Sequence, residues 1–378
     1  MKILHAQQYP IDPTRIPGGP FSAGYHLSHE LAAMPGVDVS VVTVTRDVQK
    51  DLHRVDGSVP ITFLARKRRR LIPNLLTDVP RIAQEMEKTR PDIICAQLAV
   101  YGVAALKVNI PSVYLIHGVI HKEARVRKNL ADRLLYLIYV RMDQAAVRGA
   151  KHIIATSPYA VEEYRNITNA RFHVLDNAVD DRYFEIQNRE DAPRLFLGGL
   201  IYNRKNILGA LEIVRRLKNK YPNIVLTIGG RIADRKYYAR CLAFVKRHRL
   251  EQNVTFLGQA TTDQVIDELA RCSMLLLTSS QETAPLIISE AMAAGKPVVS
   301  ADVGGCRYLV EDGASGFVVP WDDTDAYVQR IETILDDGEL RQRFGLRSRE
   351  IAEARFRRRI IAANTLAVYN EILAERCT

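Results

Sequence analysis

The sequence predicts an α/β protein built from two Rossmann-like halves. Short apolar runs, many of them rich in β-branched residues, alternate with helical patterns along the whole chain. Runs this short and continuous, with helices between them, are typical of parallel strands covered on both faces. Two such series occur in succession, and 378 residues with 47% hydrophobic content can fill two hydrophobic cores.

The first series of predicted strands reads MKILHA, VDVSVVTVT, PDIICAQ, PSVYLIH and HIIATS, and the second reads RLFLGGL, NIVLTIGG, NVTFLG, MLLLTSS and KPVVSA. The segment between them, 174–193, is rich in Asn, Asp and Pro, which favours a domain boundary near residue 185. We predict an N-terminal domain over 1–185, a C-terminal domain over 186–355, and a last helix over 356–378 that packs back on the N-terminal domain.

Ligands of open parallel sheets bind beyond the carboxyl ends of the strands. Two sheets that face each other would enclose a cleft, and motifs at the strand ends would meet there. The residues that follow each predicted strand are therefore the first candidates for a functional role.

The net charge is +10, and residues 1–180 carry +7 of it. Such a balance favours acidic partners, but no basic motif interleaved with aromatic residues is present, so nucleic acid is not an expected partner. The run RKRRR at 66–70 and the basic segment 121–149 predict docking on an anionic membrane surface. Packing on the sheet explains equally well the apolar stripe of that segment: Val126, Leu130, Leu134 and Ile138.

Five cysteines occur without C-x-x-C spacing, so the sequence suggests neither a zinc site nor a disulfide framework, which fits a reducing compartment. The N-terminus lacks the apolar segment of a signal peptide, and no apolar run approaches the roughly 18 residues of a membrane span. We expect a cytoplasmic protein, with peripheral contact to the inner face of the membrane.

The stretch QETAPLIISEAMAAGKPVVSADVGG, residues 281–305, places Glu282 and Glu290 eight positions apart. Pro285 suits the first turn of a helix, and Gly295 suits its end, so a helix is predicted over 285–294. The first backbone N–H groups of that helix, those of Leu286 and Ile287, would be available to a phosphate.

This stretch resembles the E-x7-E signature of glycosyltransferase family 4, a family of retaining enzymes with the GT-B fold. Further pieces resemble the family's pattern in the same order: PGGP, YLIHG, IIATSPY, NAVDDRYF, GGLIYNRKN, VTFLG and DGASGFVV. The sequence departs from the pattern at Thr283, Ala284 and Pro285, where the family has Gly, Phe and Gly. The family's arginine before the lysine falls at Gly199 or Leu200 here, and Arg204 supplies a charge nearby.

The resemblance implies a two-domain enzyme that takes a sugar from a nucleotide-diphosphate donor and places it on a saccharide or lipid-linked acceptor, as in polysaccharide biosynthesis. Glu290 would hold the ribose diol, and Glu282 would face the donor sugar. Lys205 and Arg204, with Pro285 and the helix amides after it, would bind the diphosphate. The alternative is that these glutamates and cations are ordinary solvated side chains.

Gly18 and Gly19, in the pair after the first strand, would let the backbone approach the donor phosphates closely. His117, at the end of PSVYLIH, would act with Glu282 as a catalytic residue by hydrogen-bonding to the transferring sugar. A simple glycine turn and a structural histidine are the alternatives at these positions.

Metal-independent transfer is expected, because the D-x-D triplet at 323–325 begins a helical pattern and reads as a helix cap. The only small molecule implied is the nucleotide sugar itself, as co-substrate. Two other functions stay open: a sugar-nucleotide epimerase of related fold, and a non-catalytic basic protein that binds membranes or nucleic acid.

Overall fold

A computed structural model describes five ranges of the chain: 1–13, 18–66, 74–125, 130–191 and 193–375. These residues form two compact units, each of which is described by itself. The first unit comprises Met1–Ile11, Pro20–Ala178 and Arg358–Thr378, and the second comprises Asp12–Gly19 and Val179–Arg357. The boundary thus falls between Ala178 and Val179 rather than at 185, and residues 12–19 group with the second unit.

The first unit is built on a sheet in the order β3-β4-β2-β1-β5-β6-β7-β8, in which only the β3–β4 pair is antiparallel. Its strands are β1 (Lys2–Ala6), β2 (Asp38–Thr45), β3 (Leu52–Asp56), β4 (Val59–Ala65), β5 (Ile93–Gln97), β6 (Ser112–Ile116), β7 (His152–Ala155) and β8 (Arg171–Val174). Its helices are α1 (Gly19–Ala32), α2 (Asn74–Thr89), α3 (Ala99–Ala105), α4 (Ile120–Arg125), α5 (Leu130–Gly149), α6 (Pro158–Tyr164) and the last helix, α14 (Arg358–Ala374).

The second unit has a fully parallel sheet in the order β11-β10-β9-β12-β13-β14. Its strands are β9 (Arg194–Gly198), β10 (Val225–Gly229), β11 (Val254–Gly258), β12 (Met274–Leu277), β13 (Val298–Ala301) and β14 (Gly316–Val319). Its helices are α7 (Ile207–Leu217), α8 (Arg235–Arg247), α9 (Thr262–Arg271), α10 (Leu286–Ala293), α11 (Cys306–Leu309), α12 (Thr324–Asp336) and α13 (Gly338–Arg355).

Each sheet is covered by hydrophobic clusters on both faces, which is why its strands read as continuous apolar runs. In β1, Ile3 packs into one cluster and Leu4 into another. In β12, Leu275 and Leu276 alternate in the same way. The predicted α/β class with two Rossmann-like halves is therefore confirmed, and the second unit has the doubly wound strand order 3-2-1-4-5-6.

The helix predicted over 285–294 is α10. Pro285 is the residue before its first turn, and Gly295 follows it with φ +68°, a value that favours glycine. The D-x-D triplet is a helix cap, as predicted, because Asp323 accepts a hydrogen bond from the backbone N–H of Ala326 at 2.9 Å.

Only part of the predicted membrane surface lies in the described residues. Residues 67–72 and Val126 lie outside them, and so do the side chains of Leu130 and Leu134. On α5, Ile138 packs against the core of the first unit, whereas Leu135 and Leu137 are 42% and 55% exposed. Within the described ranges, no helix has both the length and the apolar composition needed to cross a bilayer.

Candidate active site

The strand order of the second unit fixes where a ligand would bind. From β9 the chain continues to β10 on one side, and from β12 it continues to β13 on the other side of the sheet. The crevice between the carboxyl ends of β9 and β12 is therefore a topological switch point. The chain leaves β9 through Gly199 into a short 3-10 helix, Asn203–Lys205, and leaves β12 through 278–285 into α10. The residues with the strongest sequence signals follow these two strands.

Lys205 and Glu282 form an ion pair at this crevice, with 2.6 Å between Nζ and Oε1. Lys205 is 9% exposed and Glu282 is 6% exposed, so neither is a solvated surface side chain. Burial alone raises the pKa of Glu282, but the positive charges of Lys205 and Arg204 outweigh that effect and hold the pKa below its usual value of 4.5. The crevice therefore contains a buried carboxylate that is ionised at neutral pH.

The backbone around Lys205 fixes the position of its ammonium group. Gly199 has φ +143°, a backbone conformation that favours glycine, and a Cβ there would lie 3.0 Å from Lys205 Cε, so a larger residue would displace the lysine side chain. The Thr278 hydroxyl donates hydrogen bonds of 3.1 Å to the carbonyls of Lys205 and Asn206. Asn206, with φ 48°, caps α7 by accepting from the N–H of Gly209.

Arg204 lies beside the ion pair and is half-buried. Its Nη1 donates to Gln281 Oε1 at 3.0 Å, and the N–H of Ser280 donates to its carbonyl at 2.8 Å. Its guanidinium group lies 5.4 Å from the centre of the Tyr202 ring. The structure therefore brings the second predicted cation to the same crevice and holds it by contacts on three sides.

The N-terminus of α10 completes the crevice. No side chain caps this helix, so the amides after Pro285 keep the anion-binding capacity of a helix start. Leu286 is buried, and Ile287 packs so closely on β9 that a Cβ at Gly198 would lie 2.8 Å from its Cδ1.

The glycine pair contacts the same place within the second unit. A Cβ built on Gly19 would lie 3.5 Å from Leu286 Cβ, whereas one on Gly18 would meet no atom of the described residues within 4 Å. Open space at Gly18 is compatible with close approach of a ligand, as the sequence predicted.

Glu290 lies on α10 and is half-buried. Among the described residues, no cation forms an ion pair with it like the one that Lys205 forms with Glu282. Burial and the negative charge of Asp180 raise its pKa to about 8, although a hydrogen bond from Tyr183 partly opposes the change. A carboxyl group in this state gains from ligand hydroxyls that donate to its ionised form. Glu290 is therefore not an ordinary surface residue.

His117 belongs to the first unit and directly follows β6. It is half-buried, burial lowers its pKa to about 4, and its Nε2 lies 2.7 Å from Gln97 Oε1. The ring is therefore neutral at physiological pH. A cavity at the carboxyl ends of β5 to β8 adjoins it. Its lining is mostly apolar, and its polar side chains are Gln97, His117, Thr156, Asp176, Asn177 and Thr365.

Sequence reasoning missed the residues that hold these side chains in place: Tyr183, Asn206, Thr278 and Gln281 in the second unit, and Gln97 beside His117 in the first. Gln97 had a signal, since it is the polar residue that ends the apolar run PDIICAQ. Among the residues that the structure describes, no group of three or more His, Cys, Asp or Glu side chains is arranged to hold a metal ion.

Two family models match consecutive parts of the chain. The model described as Glycosyltransferase Family 4 matches residues 17–183, and the model described as Glycosyl transferases group 1 matches residues 180–351. N-acetyl-alpha-D-glucosaminyl L-malate synthase of Bacillus anthracis is 31% identical over 217 residues, which cover 55% of this chain and 55% of that protein. The match thus spans about half the length of this curated relative.

Solved structures resemble the whole chain. Sucrose-phosphate synthase of Thermosynechococcus elongatus has a TM-score of 0.83 at 20% identity, over 99% of this chain and 100% of that one. HepE of Anabaena in complex with UDP has a TM-score of 0.70 at 21% identity, over 98% of this chain and 100% of that one. These likenesses are of fold, and they confirm the predicted GT-B class.

The resemblance first indicated by the E-x7-E spacing is therefore supported along nearly the whole chain, in the N-terminal half by one model and in the C-terminal half by the other. The chain belongs to glycosyltransferase family 4 and carries the group 1 glycosyl transferase domain that contains Lys205, Glu282 and Glu290.

Proposed function

We propose that the protein is a retaining glycosyltransferase of the hexosyltransferase type, which transfers a sugar from a nucleotide-diphosphate donor to a saccharide or lipid-linked acceptor. The second unit binds the donor, and the first unit binds the acceptor. The observation that carries this proposal is the buried Lys205–Glu282 pair at the switch point, next to the uncapped start of α10.

The leaving diphosphate needs positive charge where its negative charge develops. A lysine ammonium has three N–H donors, and Lys205 gives one of them to Glu282, so two remain for phosphate oxygens. Arg204 and the first amides of α10 add further donors from the other sides. Gly18 and Gly19 allow the chain to approach the phosphates.

The two glutamates act on the two sugars of the donor. Glu282, ionised and fixed by Lys205, accepts hydrogen bonds from the transferring sugar and opposes positive charge at its anomeric carbon. Glu290 accepts hydrogen bonds from the two hydroxyls of the ribose. His117, which belongs to the first unit, is the other proposed catalytic residue.

Retention requires that the new bond form on the face from which the diphosphate leaves. The bond between the anomeric carbon and the diphosphate oxygen breaks, the acceptor hydroxyl oxygen bonds to that carbon, and its proton passes to the departing diphosphate. No protein side chain is assigned as a covalent nucleophile.

Release of nucleoside diphosphate from UDP-, GDP-, ADP- and TDP-sugars tests the proposal, and UDP-sugars come first because the fold neighbour HepE was solved with UDP. We expect one donor to be turned over and its anomeric configuration to be kept in the product, which NMR detects. Conversion of a nucleotide sugar without acceptor would indicate the epimerase instead. A product of inverted configuration would contradict the retaining mechanism.

We expect transfer to survive removal of divalent metal ions, because Lys205, Arg204 and the amides of α10 supply the charge that the diphosphate needs. Turnover is measured after dialysis against EDTA and again after addition of magnesium or manganese. Loss of transfer in EDTA with recovery on adding metal would contradict this prediction. No cofactor besides the nucleotide sugar is proposed.

We propose a cytoplasmic location with docking on the anionic inner leaflet through the first unit. The basic run 66–70 in the sequence and the exposed Leu135 and Leu137 on α5 support this proposal. Each basic side chain near such a membrane contributes about 1 kcal/mol, and salt weakens the attraction. We expect sedimentation with anionic vesicles at low salt and release at high salt.

The matched control replaces basic residues on exposed α8 of the second unit: Lys236, Arg240 and Lys246. Replacing residues 66–70 by serine should abolish sedimentation, whereas the α8 variant should sediment like the unchanged protein. Equal binding to neutral vesicles, or equal loss in both variants, would contradict docking through the first unit.

A further inference from the structure

The loops that follow β9 and β12 are fastened to each other across the switch point. The Thr278 hydroxyl and the backbone N–H of Ser280 donate to backbone carbonyls of residues 204–206. The next residue, Gln281, instead contacts a side chain, because its Oε1 accepts from Arg204 Nη1 at 3.0 Å. Other residues therefore fix the backbone of the two loops, whereas Gln281 acts on the guanidinium group.

The amide of Gln281 is buried in a way that costs stability. Guanidinium N–H groups can only donate, so the amide oxygen faces Arg204 and the amide nitrogen, Nε2, lies on the other side. Gln281 is 8% exposed, and its Nε2 has no hydrogen-bond partner among the described residues. About nine in ten buried polar groups in proteins are satisfied, and a buried donor without a partner is destabilising. Stability therefore does not explain a glutamine at this position.

The orientation and the charge of Arg204 matter for an anionic ligand. A guanidinium group is planar, so its orientation decides which N–H donors face the crevice. Beside it, Lys205 is paired with Glu282, and the three side chains together carry a net charge of one positive unit. A carboxylate at position 281 would hold Arg204 but cancel that charge. The neutral amide of Gln281 holds Nη1 and leaves the positive charge in place.

We propose that Gln281 is a positioning residue: it orients Arg204 for the diphosphate of the donor without cancelling its charge, at a cost in the stability of the second unit. This inference rests on the proposed function, which makes the donor the source of the diphosphate. The anion site itself can be tested with inorganic diphosphate, in the absence of any nucleotide or sugar.

The first test is calorimetric titration of the full chain with inorganic diphosphate, in EDTA and at constant ionic strength. Gln281→Met should weaken binding roughly three- to tenfold, and Arg204→Met should weaken it roughly tenfold or more. The double variant should bind like Arg204→Met alone, because Gln281 acts through Arg204. Unchanged affinity in Gln281→Met, or losses that add in the double variant, would overturn the proposal.

The second test measures stability, which separates positioning from a structural role. The midpoint of urea unfolding should be the same or higher in Gln281→Met, because the donor without a partner is gone and half-buried Arg204 can turn to water. A structural role for Gln281 would instead lower the midpoint.

Asn253→Leu is the matched control. Asn253 is 2% exposed and, like Gln281, has one amide atom, Oδ1, without a partner among the described residues. Its Nδ2 donates to the carbonyls of Pro222 and Ile224 at 2.9 and 2.7 Å, and it precedes β11 at the amino edge of the sheet. This variant should lower the unfolding midpoint and bind diphosphate like the unchanged protein. A midpoint as low in Gln281→Met would show that Gln281 is structural and would overturn the proposal.

The outcomes separate this inference from the proposed function. Diphosphate binding with the expected effects, in a protein that transfers no sugar, would support the positioning role and contradict only the proposed function. Sugar transfer together with unchanged diphosphate affinity in Gln281→Met would contradict only the positioning role. No binding of millimolar diphosphate by the unchanged protein would overturn the inference, because Arg204 would then have no anion to meet.

Discussion

Replacing Lys205 by methionine is expected to lower donor turnover by roughly a hundred- to a thousandfold, the usual cost of removing one group that stabilises transition-state charge. Methionine keeps most of the length of the side chain but has no charge and no N–H donor. The diphosphate then loses its buried cation, while Arg204 and the amides of α10 remain. Initial rates of nucleoside diphosphate release measure the change.

The same substitution should destabilise the second unit, because Glu282 stays buried without its partner. Removing one member of a buried ion pair costs about 3 to 5 kcal/mol in the free energy of unfolding. Without Lys205, the burial that raises the pKa of Glu282 is opposed by one cation fewer, so this pKa rises from its value in the unchanged protein. A raised pKa in the folded state means that stability is present at low pH and lost as the pH rises, so the deficit should be larger at pH 7 than at pH 5.

Glu268→Gln is the control that separates stability from catalysis. Glu268 pairs with Arg194 at 3.6 Å, and both side chains are largely buried. Arg194 is the first residue of β9, so this pair lies at the amino edge of the sheet, away from the switch point. The variant should lose stability but keep its turnover. Unchanged turnover in Lys205→Met, or an equal loss in Glu268→Gln, would remove Lys205 from the diphosphate site.

Continuous apolar runs predicted ten strands, and all ten exist. Most of them are buried on both faces, whereas β11, at the edge of its sheet, is partly exposed. Four strands were missed: β3, β4, β8 and β14. β3 and β8 lie at the edges of their sheet and carry exposed residues, so they lack the apolar run. The hairpin from β3 to β4 had a signal in the Asp56-Gly57 pair, a common turn dipeptide. β14 is as long and as buried as β12 and β13, so neither length nor burial explains why it was missed.

For the candidate site, the E-x7-E spacing predicted both glutamates, and the structure places Glu282 in the loop before α10 and Glu290 within that helix. The pairing of Glu282 with Lys205 could not be predicted, since 77 residues separate them and nothing local specifies which cation a glutamate meets. The raised pKa of Glu290 depends on Asp180, which comes from a distant loop. Spacing predicts which residues matter, whereas contacts between distant segments decide their charge states.

The charge state of Glu290 leads to a pH-dependent affinity for the donor. Its pKa in the free protein is about 8, so at pH 6 to 7 the carboxyl group is mostly protonated. Ribose hydroxyls that donate to the ionised form gain about 1.5 to 3 kcal/mol from a charge-assisted hydrogen bond, a ten- to hundredfold preference for that form. Below pH 8, donor binding is therefore accompanied by loss of the proton of Glu290, whereas above pH 8 Glu290 is already ionised and no proton is lost.

We expect the affinity for UDP-glucose to rise roughly tenfold between pH 6 and pH 8 and then to level off, with release of a proton near pH 7. UDP-glucose suits the measurement because its diphosphate is a diester that does not titrate in this range. Calorimetry in buffers of different ionisation enthalpy counts the proton. Glu290→Gln should bind UDP-glucose more weakly at pH 8, and its affinity should not depend on pH. An analogue of UDP-glucose that lacks the ribose 2′-hydroxyl should show a weaker pH dependence of binding to the unchanged protein. The same slope in Glu290→Gln as in the unchanged protein would exclude Glu290 as the ribose ligand.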